Sequence, residues 1–282
     1  MSIFNIPKKE IESILPLLQE GAKNRLGTEG ICTLAELDPD ESFAGCIQFA
    51  VEEENDTPVG RLLYLYVLPQ KREQGVGEQL LMAMEDSLFK RGIRKAVVLL
   101  PSDQSELGEY LEEYGFSMTE NRRACFLRLS SIREEKEIDE ELSRRIVSLQ
   151  ELGGTGARRI YSLYKDITTW NTEGLDLTQS CALAETEPEA MLLVRNENGY
   201  PALTFFAPNN EDGWESKRAL ILWMAEHMKE TYPIATRLLL SEARDASWYC
   251  IEAGNVSDVC EAVVGTLEVE EPERMPEGEA AQ

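Results

Sequence analysis

The 282-residue sequence predicts an α/β (α+β) fold in two similar halves, each a mixed, largely antiparallel sheet flanked by helices. Three observations predict it. Short apolar and β-branched runs alternate with stretches of helical spacing. A glycine-rich turn joins one such run to one such stretch between Leu65 and Leu88. Segments of the first half recur in the second at a nearly constant offset.

Taken in order, residues 8–19 carry the spacing of an opening helix. Residues 31–37 and 43–51 form a hairpin across Asp38-Pro39-Asp40, residue types that favour a turn. Tyr64, Leu65, Tyr66 and Val67 suit a buried strand. Pro69 cannot extend that strand into a central ladder. From Val76 the apolar residues fall at Val76, Leu80, Leu81, Met84 and Leu88, which is helical spacing. Residues 96–100 read as the next strand and residues 104–114 as a short helix, closed by Gly115-Phe116.

The second half repeats this plan. Cys32-Thr33-Leu34-Ala35-Glu36-Leu37-Asp38-Pro39-Asp40 recurs as Cys181-Ala182-Leu183-Ala184-Glu185-Thr186-Glu187-Pro188-Glu189, 149 residues later. Residues 81–103 lie over residues 222–244 at an offset of 141, with Val97-Val98-Leu99 over Leu238-Leu239-Leu240. The second copy is therefore shorter by 149 − 141 = 8 residues in between. The polar loop 52–57, against the tight turn 196–199, is the natural place for the difference. Residues 138–149 and 157–164 read as its helices. The expected domains are 1–130 and 138–267, joined by a polar linker at 131–137. A Glu/Pro-rich tail at 268–282 has little to bury and is expected to be disordered.

The chemistry concentrates at Arg72-Glu73-Gln74-Gly75-Val76-Gly77, an Arg-x-x-Gly-x-Gly between strand and helix. Residues without side chains let a ligand approach the backbone. The unpaired N–H groups of a helix start attract phosphate or pyrophosphate. Residues 61–95 carry seven cations against four acids, +3 in a chain of formal charge −24. Lys71 and Arg72 sit in the turn, whereas Lys90, Arg91, Arg94 and Lys95 complement the helix's negative end. An ordinary strand–turn–helix with a glycine start is the plain alternative.

Leu-x-Val-x-Pro-x-x-Arg-x-x-Gly-x-Gly followed by an amphipathic helix resembles the acyl-CoA-binding motif of the GNAT N-acetyltransferase superfamily. The resemblance covers about residues 1–130 and includes the Gly-Phe pair at 115–116. It implies two tandem GNAT-like domains. It places the pantetheine of acetyl-CoA along Leu65, Tyr66 and Val67, and the pyrophosphate on the N–H groups of Arg72, Glu73, Gln74, Gly75, Val76 and Gly77. Gln104 stands where relatives often begin a helix with asparagine, and can hydrogen-bond to pantetheine. Glu73 departs from the small residue many relatives carry. Relatives often place a catalytic tyrosine four residues before the glycine of Gly-Phe; here that residue is Leu111. Tyr110 and Tyr114 are the candidate acids, with surface packing as the alternative. No base is assignable: Glu52, Glu53, Glu54 and Asp103 lie at plausible cleft edges, and Tyr64 and Tyr66 could line the acceptor site or belong to the core.

In the second copy Gly213, Ser216 and Arg218 stand opposite Arg72, Gly75 and Gly77. That copy is expected to keep the fold without binding acyl-CoA in the usual way, its Arg218 side chain filling the approach. Six cysteines without a C-x-x-C pair read as buried thiols, and a lone His227 supports neither a zinc site nor a His-dependent triad. No apolar run reaches the ~18–20 residues of a membrane span. The N-terminus lacks a signal peptide's apolar core, so a cytoplasmic protein is expected. The negative charge argues against nucleic acid and anionic membranes and suits a cationic amine. The expected function is transfer of an acetyl group from acetyl-CoA to a primary amine of a small cationic substrate. The alternative is a silent acyl-CoA-binding or regulatory protein. A monomer with pseudo-dimeric halves and a homodimer both fit.

Overall fold

The computed structural model describes residues 2–5, 22–23, 26, 30–37, 42–54, 56–132, 140–184, 189–208, 210–240 and 259–271. The expected opening helix at 8–19, the turn at 38–40 and Cys250 lie outside the described residues. The chain divides into two compact units. The first comprises residues 1–100, 104–119 and 263–282, and the second residues 101–103 and 120–262. This division does not follow a cut at 130–138, because each unit takes its last strand from the other half of the chain.

In the first unit the strands stand in the order β1 (Ser2–Asn5), β2 (Ile31–Leu37), β3 (Phe43–Glu54), β4 (Thr57–Val67), β5 (Lys95–Pro101) and β12 (Val259–Glu268). β1 to β4 pair antiparallel, and β4 pairs with β5 in parallel. Helix α1 (Val76–Lys90) lays Val76, Leu80, Leu81, Met84 and Leu88 on the sheet. These are the residues whose spacing predicts the helix, and each buried side chain of this size contributes roughly 1.5–3 kcal/mol. Helix α2 (Ser105–Tyr114) buries Leu111 in the same core. The late cations close α1 at its negative end. Arg94 donates to the carbonyl of Phe89 at 3.0 Å, and Lys90 pairs with Asp86.

The core of the first unit also holds Leu267 and Val269. Val269 donates its N–H to the Arg94 carbonyl at 2.9 Å. A Cβ on Gly265 would press on Met118 and Val98, so β12 lies tight against this unit. Within the tail expected to be disordered from 268, Glu268 instead ends the strand and Val269 is buried. Residues 272–282 lie outside the described residues.

The second unit orders its strands β6 (Ser117–Arg128), β11 (Arg237–Leu240), β10 (Tyr200–Phe206), β9 (Ala190–Glu197), β8 (Cys181–Leu183) and β7 (Ile146–Ser148). The long helix α5 (Glu211–Thr231) covers its main core. The expected helix at 138–149 is instead a short helix α3 (Glu140–Ser143), the strand β7, and then helix α4 (Leu149–Ser162). A capping box explains the break. The Ser148 hydroxyl accepts from the Glu151 N–H, and the Glu151 carboxylate accepts from the Ser148 N–H. The β9–β10 hairpin spans 17 residues and its counterpart β3–β4 spans 25, an eight-residue difference. The whole difference lies in the arms, each four residues shorter, and both turns are two residues long.

Cys32, Cys46, Cys125, Cys181 and Cys260 are reduced thiols. His227 stacks on Trp223 with ring centroids 3.7 Å apart, so it packs. Among the described residues no helix is long and apolar enough to cross a membrane, and no group of side chains could hold a metal ion.

Candidate functional site

The site begins with an irregularity in β4. Gln48 pairs with Tyr64 and Phe49 with Leu62, so Leu63 is an extra residue on β4 and forms a β-bulge. Parallel pairing of β4 with β5 runs from Gly60↔Ala96 to Leu62↔Val98. Past the bulge the pairing with β5 ends, and the β5 side of Leu65, Tyr66 and Val67 is a strand edge open to an extended ligand. Leu65 and Val67 pack toward the α1 core. Tyr64 and Tyr66 are half-buried on the opposite face, stacked at 6.2 Å.

After β4 the chain turns sharply. Leu68 donates to the Ala44 carbonyl at 3.0 Å, and residues Pro69–Lys71 make one 3₁₀ turn. Two residues then enter left-handed backbone, Glu73 at φ 60° and Gly75 at φ 80°. Gly75 is the N-cap of α1. The first bond of the helical ladder runs from the Gln79 N–H to the Gly75 carbonyl at 3.0 Å. The N–H groups of Val76, Gly77 and Glu78 precede that bond, and no side chain caps them. A Cβ on Gly75 would meet only Gln79 Nε2, at 3.8 Å, so space is open above the turn. The turn is braced from behind: Gln74 donates to the Gln70 carbonyl at 2.9 Å and Arg72 Nε reaches the Val67 carbonyl at 3.5 Å.

Helix α2 brings the two tyrosines to α1. Tyr114 donates its hydroxyl to Glu85, and the Tyr110 hydroxyl lies against Gly77. Burial raises both hydroxyls above the ordinary tyrosine range. For Tyr114 the bond to Glu85 adds to this, and for Tyr110 the charge of Glu78 does. Leu111, at the position where relatives often carry tyrosine, is fully buried. Gln104 is the exposed residue that starts α2, and its carbonyl accepts from Gly108. Of the four carboxylates at cleft edges, Glu52 pairs with Arg61 and Glu54 with Lys95, while Asp103 holds Arg237 and Arg128. The bulge at Leu63, the Glu85 partner and the seat of Tyr110 on Gly77 are missing from the sequence reading. Only Gly77 itself leaves a sequence signal of any of them.

A family model described as the acetyltransferase (GNAT) family matches residues 3–116, the stretch that carries the bulge, the open edge and the uncapped helix. Over residues 3–116 the chain matches the GNAT family. Its fold as a whole is the tandem form. A tandem GNAT protein from the clavulanic acid biosynthesis pathway superposes at a TM-score of 0.53 with 12% identity, covering 96% of this chain and 99% of that one. A GCN5-related glucosamine N-acetyltransferase region of a fungal multi-domain GH3 β-N-acetylglucosaminidase gives 0.55 with 10% identity, over 94% of this chain. This chain spans 38% of the length of that fungal enzyme. No curated protein matches the sequence. The fold is thus the one acyl-CoA-dependent N-acetyltransferases use.

The second unit departs from the first at both features of the site. Its β9–β10 hairpin pairs without interruption from Tyr200↔Glu197 to Phe206↔Met191, so no bulge forms. Its helix α5 starts at Glu211, so Gly213, Ser216 and Arg218 are helical and no turn exists there. A blocking Arg218 is therefore not the reason this copy lacks the site. Asn210 caps α5 by accepting from the Gly213 N–H at 2.9 Å, and Glu211 and Asp212 fill the first turn with negative charge. The cap takes up the Gly213 N–H, and an anion there meets two carboxylates.

Proposed function

We propose that the chain is an acetyl-CoA-dependent N-acetyltransferase that acetylates a primary amine of a small cationic substrate. The observation that carries this reading is the uncapped N-terminus of α1 at the end of a strand whose edge opens past its bulge. The donor's pantetheine would pair with the backbone of Leu65, Tyr66 and Val67. Its pyrophosphate would lie on the N–H groups of residues 72–77, with Gln104 at the side of the pantetheine. Lys71 and Arg72 favour the anion, and Glu73 points its carboxylate to solvent, where it is exposed.

The acceptor attacks as a neutral amine. Its nitrogen forms a bond to the thioester carbonyl carbon, and a β4 N–H holds the carbonyl oxygen as it becomes negative. The C–S bond then breaks, leaving amide and thiolate. The ammonium proton goes to water, and the thiolate takes one from water or a tyrosine of α2, Tyr110 or Tyr114. The chain's charge of −24 favours a cationic acceptor by long-range attraction. Residues 138–267 contribute no second donor site, and the enzyme is expected to work in the cytoplasm.

Calorimetric titration with acetyl-CoA tests the reading on the native chain and on Gly75→Glu. One site per chain, lost in the variant, is expected. Two sites would contradict the reading of the second unit, and no binding would remove the acetyltransferase. Turnover with a panel of polyamines, aminoglycosides and amino acids then separates an enzyme from a silent acyl-CoA binder.

A further inference from the structure

The second glycine of the turn has an occupant. A Cβ built on Gly77 would stand 2.6 Å from the Tyr110 hydroxyl oxygen and 3.2 Å from Cζ. Both lie below ordinary van der Waals contact, so the hydroxyl is seated on the bare α-carbon of Gly77. Cβ vectors of a helix tilt toward its N-terminus. Gly77 is the second residue of α1, so an atom against its α-carbon stands at the turn where the N–H groups of Val76, Gly77 and Glu78 open. The ring is held in that place by its helix. Leu111 beside it is fully buried, and Tyr114 one turn on is fastened to Glu85.

We propose that Tyr110 is a binding residue for the donor's diphosphate. Its hydroxyl donates to an oxygen held at the α1 N-terminus and completes a cap that the chain leaves to its ligand. This assignment rests on the acyl-CoA reading of the site and narrows it. The donor's sulfur and diphosphate are separated by the whole pantetheine arm. A hydroxyl seated on Gly77 stands at the diphosphate end and cannot also deliver a proton at the sulfur. Burial and Glu78 keep the hydroxyl protonated. That suits a donor that never gives up its proton and disfavours an acid that must. The sequence thus uses Gly77 to admit Tyr110 as well as the ligand.

The test compares the native chain with Tyr110→Phe, which keeps the ring packed. Both are titrated with acetyl-CoA and with desulfo-CoA, a probe that retains the diphosphate and lacks the sulfur. A hydrogen bond to a charged oxygen is worth about tenfold or more in affinity. The expected result is a loss of about tenfold for both ligands in Tyr110→Phe, with thermal unfolding of the free protein little changed. Unchanged affinity for both ligands in the variant overturns the assignment and leaves the acyl-CoA site standing. A loss confined to acetyl-CoA places the hydroxyl at the sulfur and also overturns it. Binding of neither ligand by the native chain overturns the acyl-CoA reading, and this assignment falls with it.

Discussion

Two residues before α1 stand in left-handed backbone, and only Gly75 is suited to it. A side chain in that region costs roughly 1–2 kcal/mol. Glu73→Gly is therefore expected to stabilise the chain by about 1 kcal/mol, and Gly75→Ala to destabilise it by a similar amount although space is open there. Urea denaturation measures both. Tyr114 makes a second prediction. Its folded hydroxyl titrates above the ordinary value of 10.0, so the folded state holds that proton more tightly than the unfolded chain. The stabilisation is fully present below pH 10 and is lost as pH rises above it. The native chain should thus lose stability more steeply than Tyr114→Phe in that alkaline window, and in parallel with it below. Cys46, pushed up to about 12 by burial, should react with a thiol reagent only after unfolding.

The two long helices differ most at their first turns. α5 carries its own cap in Asn210, and α1 has none. Asn210→Ala is expected to cost about 1 kcal/mol of stability by denaturant titration and to leave acetyl-CoA affinity unchanged. For α1 the proposed ligand would serve as the cap, so acetyl-CoA at a hundred times its Kd should add about 2.7 kcal/mol to the stability of the unit proposed to bind it. The apolar stripe of α1 is legible in the sequence because periodicity acts within a few helical turns. The strand β7 is not. Ile146 and Val147 read equally as helix, and their pairing with Leu183 and Ala182 decides them.

Across the whole chain, the terminal strand matters more than its position suggests. Leu267 and Val269 lie in the core of the first unit, some 150 residues beyond the rest of that core. A fragment of residues 1–130 retains every proposed contact to acetyl-CoA and lacks β12. It is expected to fail to bind acetyl-CoA, whereas addition of a peptide is not needed in the full chain. Binding by that fragment with native affinity, measured by calorimetry, would show that β12 is dispensable. The net charge of −24 acts at the same scale. It is a property of composition alone and biases the chain toward cationic small molecules.

The strand–turn–helix and its two glycines were readable from residues close together in sequence, because turn chemistry, helical spacing and backbone freedom are local, and the repeat was readable by matching segments 141 to 149 residues apart. Three features were not. The bulge at Leu63 exists only in the pairing of β4 with β3. The seat of Tyr110 on Gly77 exists only where α2 packs on α1. The placement of β12 beside β5 joins residues far apart in the chain. Each depends on which distant surfaces bury one another. Many partnerships satisfy the same local pattern, and only the packed core selects among them.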